Sequence, residues 1–224
     1  MTPASWPCPL PGGGTCEEAA LQFDAGRAVR LLIVPALFDE GNRMRRFTVE
    51  LMRRLDRAGI DSFLPDLPGC TESLQPLEAQ DPTDWLDAMA AAARHFGAGH
   101  ALGIRGGCLF TPYRLPALHY APAKASSILR QMVRARMLSA REAGRQESRE
   151  ELAQQALEHG ITLAGYTLGA DFYRHFEPMT AHPDAELIAQ EQVGGSGLWL
   201  RAEPGENAAQ AEALAAIIAS ELVR

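Results

Sequence analysis

Gly103-Ile104-Arg105-Gly106-Gly107, at the end of the apolar run His100-Ala101-Leu102, constrains this chain more than any other stretch. Its spacing is that of G-x-S-x-G, where a strand turns sharply into a helix and lifts one side chain over the edge of a parallel sheet. Glycines permit such a turn because a Cβ at the flanking positions would strike the neighbouring strand or the following helix. The central residue here is arginine. A guanidinium stays protonated at physiological pH and has donors but no lone pair, so Arg105 cannot attack a carbonyl. The geometry of a nucleophile elbow is expected, without its chemistry.

An elbow needs a parallel sheet, and the residues before it supply one. The apolar run 29–34 reads as a strand buried on both faces. After a loop from Pro35 to Gly41, Asn42 is placed to cap a helix reaching Ala58, with Met44, Phe47, Leu51, Met52 and Leu55 on one face. The opposite stripe, Arg45, Arg46, Arg53 and Arg54, reads as a solvated face. Residues 60–65 give a second strand. Asp81 caps the next helix with Pro82 at its first position, and strand 100–105 follows. Right-handed crossovers then build an α/β fold with a mostly parallel, doubly wound sheet. Strands 31–34, 60–65, 100–105 and 116–121 are expected side by side and parallel.

Beyond the elbow, Cys108 to Leu115, with Pro112 inside it, leaves room for one or two helical turns. Residues 124–160 read as two helices split at Gly144, with Ile128, Leu129, Met132 and Val133 facing inward, and form a helical cap. Stretches 161–166 and 171–176 do not decide between helix and strand. Residues 187–193 and 198–202 look like late strands, and Asn207 caps a final helix. Residues 1–18, rich in Pro and Gly, read as a loose start ahead of a short strand at 19–23. At 224 residues a single domain with a small insertion is expected.

The formal charge of −7 argues against nucleic acid and against an anionic membrane surface. The four cysteines have neither C-x-x-C spacing nor histidines at zinc spacing, so no disulfide scaffold, metal or cofactor is expected. Residues 1–14 have no basic start and no apolar core of a signal peptide, and no apolar run approaches membrane-spanning length. A soluble cytoplasmic protein is the expectation.

With these pieces in order, the chain resembles α/β-hydrolase-fold proteins. More narrowly, it is similar to the group named exosortase A system-associated hydrolase type 2. The residues that carry this are the run from Ile33 to Arg43 with Arg45 and Arg46, and Asp66-Leu67-Pro68-Gly69-Cys70. The elbow itself, the helix from Leu129 to Arg136, and Leu163-Ala164-Gly165-Tyr166-Thr167-Leu168 complete the set. The group takes its name from neighbouring genes for exosortase sorting and exopolysaccharide production in Gram-negative bacteria. The resemblance therefore implies a role beside those pathway proteins, with a small anionic or acyl ligand as an alternative partner.

A serine hydrolase of this fold needs Ser, then an acid, then His, in chain order. The Ser position is Arg105, and no histidine follows His182. Glu203 or Glu206 stands where the acid belongs, and His182 is a displaced base at best. Cys108 is the one thiol near the elbow. As a nucleophile, its pKa would be lowered by Arg105 and by a helix N-terminus; as a structural residue, it fills space. Ser73 has no identifiable base, and a Cys70–Cys108 pair needs a closeness that spacing does not supply. The candidate binding residues are Gly103, Arg105, Gly106 and Gly107 at the elbow and Phe38, Asp39 and Glu40 on the facing loop. There Arg105 either holds an anion with free backbone N–H groups or is neutralised by Asp39 or Glu40.

Overall fold

A computed structural model describes residues 1–201 and 203–223. The chain opens with strands β1 (Thr2–Pro9) and β2 (Thr15–Phe23). Next come β3 (Arg30–Val34), α1 (Phe38–Arg57), β4 (Asp61–Pro65), α2 (Pro82–His95), β5 (His100–Ile104) and β6 (Ala117–Tyr120). The rest runs α3 (Ala125–Glu142), α4 (Arg149–His159), β7 (Ile161–Leu163), β8 (Tyr166–Leu168), α5 (Ala170–Phe176), β9 (Glu186–Ile188), α6 (Gln190–Val193) and α7 (Ala208–Leu222). Among the described residues the main sheet has the order β1-β2-β4-β3-β5-β6-β9, and β7 and β8 form a separate antiparallel pair. The four expected strands are adjacent and parallel, with β9 joining them in parallel at the far edge.

Side chains in β3 alternate between two apolar layers, as the two-residue period of a strand requires. Leu31 and Ile33 join the layer formed with α1 and α7, whereas Leu32 and Val34 join the layer formed with α2, α3 and α5. Both faces of the strand are therefore dry, which explains its continuous hydrophobic sequence. Asp81 caps α2 as expected: it accepts from the Thr83 amide at 2.9 Å while Asp84 accepts from the Asp81 amide.

Three expectations are corrected. Residues 2–9 are not a loose start but the edge strand of the sheet. Gly13 and Gly14, both at positive φ, make the hairpin turn, and the Leu10 amide donates to the Gly14 carbonyl. By alternation from that pair, Pro3, Pro7 and Pro9 fall where the backbone nitrogen faces the open edge, so they cost no ladder bond and block further strand pairing. The hairpin also sets Cys8 opposite Cys16, and both sulfurs lie near Gln75 Nε2. Secondly, α1 begins at Phe38 rather than at Asn42, so Asp39 and Glu40 lie in its first turn, where carboxylates favour the positive end of the helix dipole. Asn42 instead donates to the Tyr166 hydroxyl at 3.1 Å. Thirdly, 187–193 is split into β9 and α6, and 198–202 is no strand: Leu198–Leu200 is a 3-10 turn, and Ala202 lies outside the described residues. Leu198 is buried in the layer against α7, so the chain bends there to cross the C-terminal end of the sheet.

Candidate functional site

The sharp turn after β5 is present. Arg105 has φ +55 and begins a 3-10 turn running to Phe110, so a non-glycine residue occupies the left-handed region at the elbow's central position. That conformation costs on the order of 1–3 kcal/mol and persists only where the surroundings enforce it. The glycines show the enforcement. A Cβ would lie 2.6 Å from Cys108 Cα at Gly103, 2.7 Å from Leu37 Cγ at Gly106, and 2.3 Å from the Pro35 carbonyl oxygen at Gly107. The turn is thus pressed onto the 35–37 loop, in the crevice where the strand order reverses and where ligands of open α/β sheets usually bind. Gly107→Ala is expected to cost about 1–3 kcal/mol, because its clash is with backbone and not with a side chain that can swing away. Denaturant unfolding of that variant checks it; parent-like stability would mean that the loop recedes freely.

Arg105 is held from three sides. Nε donates to Glu40 Oε2 at 3.0 Å and an Nη donates to Glu40 Oε1 at 3.1 Å, a bidentate fork. The other Nη donates to the Ala121 carbonyl at 2.7 Å. The guanidinium carbon lies 4.0 Å from the ring centroid of Trp199, close enough for cation–π attraction. The Arg105 and Glu40 side chains are only 13% and 11% exposed. The partner is therefore Glu40 and not Asp39, which is turned toward solvent near Arg43. Phe38 points away from Arg105 into an aromatic cluster with Trp85, Tyr166, Phe172 and Phe176. Neither the Ala121 carbonyl nor Trp199 is marked in the sequence: a carbonyl carries no side-chain signal, and Trp199 falls inside the expected strand 198–202.

Of the residues weighed for catalysis, Cys108 lies in the elbow turn, but its hydrogen-bond partner there is the Tyr120 carbonyl and not a base. Cys108 is 1% exposed, and burial pushes its thiol well above the usual range, outweighing the nearby Arg105 charge. The expected lowering is reversed, and little thiolate exists at neutral pH. Cys70 is likewise pushed up to about 12 by burial. Because β9 runs parallel to β5 and β6, His182 lies before its N-terminal end, across the sheet from the elbow, beside Asp184 and Tyr113. Glu206 pairs with Arg46 at 2.7 Å. The Ser73 hydroxyl donates to Glu18 at 2.7 Å and accepts from the Gly69 amide, which fixes the 69–73 turn.

Above the elbow the space is filled. Trp85, Phe110, Phe172 and Phe176 meet edge-on, tilted or stacked at centroid distances of 5.0–6.1 Å, joining α2, the elbow turn and α5. Beside it, a cavity of about 40 Å³ is lined by Leu37, Phe38, Asn42, Arg45, Cys70 and Tyr166, among others. That volume suits a water rather than an acyl chain. Arg45 reaches out of the expected solvated stripe to the buried Asp66 at 2.8 Å, whose carboxyl is nonetheless raised by burial. Among the described residues no cluster of three or more His, Cys, Asp or Glu is arranged to hold a metal ion. No helix among them is long and apolar enough to cross a membrane.

No family model and no curated protein matches the chain. Solved structures do. Alpha/beta hydrolase domain-containing protein 10 from mouse is 13% identical, with a TM-score of 0.59, and the match covers 100% of this chain and 98% of that one. DcsB, solved with a substrate analogue, is 11% identical over 99% of each chain, with a TM-score of 0.57. Est1E from Butyrivibrio proteoclasticus, solved with ferulic acid bound, is 14% identical over 73% of this chain and 68% of that one, with a TM-score of 0.51. A protein from Agrobacterium vitis S4 is 14% identical, with a TM-score of 0.48, and the match covers 71% of this chain and 62% of that one. The likeness shows the fold: a mostly parallel central sheet flanked by helices, as in α/β hydrolases.

Proposed function

We propose that this chain is a non-hydrolytic α/β-hydrolase-fold protein that works by binding a partner rather than by turning over an ester. The observation that carries the reading is the Arg105–Glu40 fork at the position where a nucleophile would stand. Arg105 offers no nucleophilic atom, three of its five donors are committed to Glu40 and the Ala121 carbonyl, and Trp199 covers one face of the guanidinium. The aromatic packing over the turn favours a partner on the outer surface over a small acyl ligand within the crevice. The link to exosortase sorting and exopolysaccharide production rests on the sequence motifs, from Ile33 to Arg43 through the elbow to Leu168, and gives the partner its proposed setting.

The second reading is an esterase or thioesterase using Cys108, and the thiol's position beside the elbow is what favours it. Burial and the raised pKa weigh against it. Purified protein is expected to show no turnover of activated short- and medium-chain esters above a buffer blank. Without a triad the residual acceleration of this fold would be at most roughly 10³–10⁴-fold over water. Robust turnover abolished by Cys108→Ala would reverse the order of the two readings.

A further inference from the structure

The strongest unassigned feature lies on the cap, away from the elbow. α3 from Arg130 onward, the 143–148 connection and the start of α4 enclose a surface groove of about 640 Å³. Arg130, Arg134, Arg141, Arg145 and Arg149 line it. Among the described residues none of these five forms an ion pair, and Arg130 reaches only Ser127, at 3.3 Å. Glu147, at the rim, is held by a bidentate bond to Arg136 and also feels the Arg145 charge, but forms no ion pair with it. Val133, Met137 and Leu138 form the apolar part of the lining, and Leu138 is 57% exposed.

A chain of net charge −7 that gathers five unpaired guanidiniums in one groove keeps a local field opposite to its overall one. Like charges this close repel, so the arrangement gains most when carboxylates enter between them. From Arg130 to Arg141 the helix rises roughly 16 Å, which an extended peptide spans in about five residues. We infer that this groove docks an acidic segment of a partner protein, with carboxylates on the arginines and interleaved apolar side chains on Val133, Met137 and Leu138. A polyanionic duplex or an anionic membrane would meet the repulsive remainder of the molecule. The groove's lining also holds no aromatic ring on which a base would stack. The inference does not depend on whether the elbow is catalytic.

The test uses the full chain and a fluorescein-labelled peptide of alternating Glu and Leu, about ten residues long to overfill the groove. Anisotropy titration is expected to show saturable binding that weakens as salt rises. Arg134→Gln combined with Arg141→Gln should weaken it about tenfold or more. A Lys/Leu peptide of equal length should not bind. Both substituted side chains are exposed, so an unchanged unfolding midpoint verifies that the double variant is folded. Absence of peptide binding, or binding that the double variant leaves unchanged, overturns the inference. So does arginine-dependent retention on phosphatidylglycerol vesicles or oligothymidine by a protein that ignores the peptide.

Discussion

Truncating Arg105 to alanine is expected to cost on the order of 3–5 kcal/mol of folding stability, because it leaves the Glu40 carboxylate buried without its cation. That is a large fraction of what holds a domain of this size together. Removing both charges together should be far milder. Arg105→Met with Glu40→Gln is expected to recover much of the loss, since the desolvation of two ions then disappears along with their attraction. Arg105→Lys should fall between: the charge remains, but the two-pronged bond to Glu40 and the stacking on Trp199 are lost. Denaturant unfolding of the four proteins at one ionic strength measures the ordering. Millimolar phosphate is expected to leave the parent's midpoint unchanged, because Glu40 already matches the guanidinium's charge, three of its five donors are taken and Trp199 covers one face. Parent-like stability in Arg105→Ala would remove the structural role. Phosphate stabilisation that vanishes in that variant would restore the anion site.

What the sequence disclosed followed from local rules with strong signatures. The apolar run 30–34, the Asp81-Pro82 start of α2 and the glycines around Arg105 each have one cheap solution, and the fold adopts it. The errors came where composition was read without its neighbours. Prolines near the N-terminus looked incompatible with a strand, yet on an edge every second position tolerates them. Asn42 looked like a helix cap, yet the chain turns at Phe38, where φ is +52, and the acidic pair enters the first turn. The site was half visible. A charge under a cap needs a counter-charge, which points from Arg105 to Asp39 or Glu40 without deciding between them; the helix start at Phe38 and the fork select Glu40. The Ala121 carbonyl sits beside Arg105 because β6 pairs with β5, but a backbone group carries no side-chain signal; Trp199 is brought there only where the chain crosses the sheet's C-terminal end. The cysteines show the same limit. Proximity to an arginine predicted a lowered thiol pKa for Cys108, but burial, which sequence does not report, has the larger effect and the opposite sign.

Acidification from pH 7 to pH 4 is expected to remove about 3 kcal/mol of stability through one residue that sequence reading passed over, His119. It lies on β6, is 3% exposed, and its Nε2 is 2.9 Å from Thr111 Oγ1. The Thr111 hydroxyl in turn donates to the Cys108 carbonyl at 3.4 Å. With that proton committed, the network assigns a hydrogen to Nε2, and burial favours the neutral ring. Burial, with a smaller contribution from nearby His182, lowers its pKa from 6.5 to about 4. Between those values the unfolded chain binds a proton that the folded chain refuses. Unfolding is therefore favoured as pH falls through 6.5, and the loss levels off below about pH 4, where both states are protonated. His119→Gln supplies an amide donor to Thr111 but does not titrate. Its stability should decline less over the same range, by a difference of about 3 kcal/mol, while other acid-sensitive groups contribute equally to both proteins. His182→Gln should recover only a small part of the effect, because burial is the larger cause. Parallel pH profiles for parent and His119→Gln would show that the ring is hydrated in solution and that the strand beside the elbow is more open than its packing indicates.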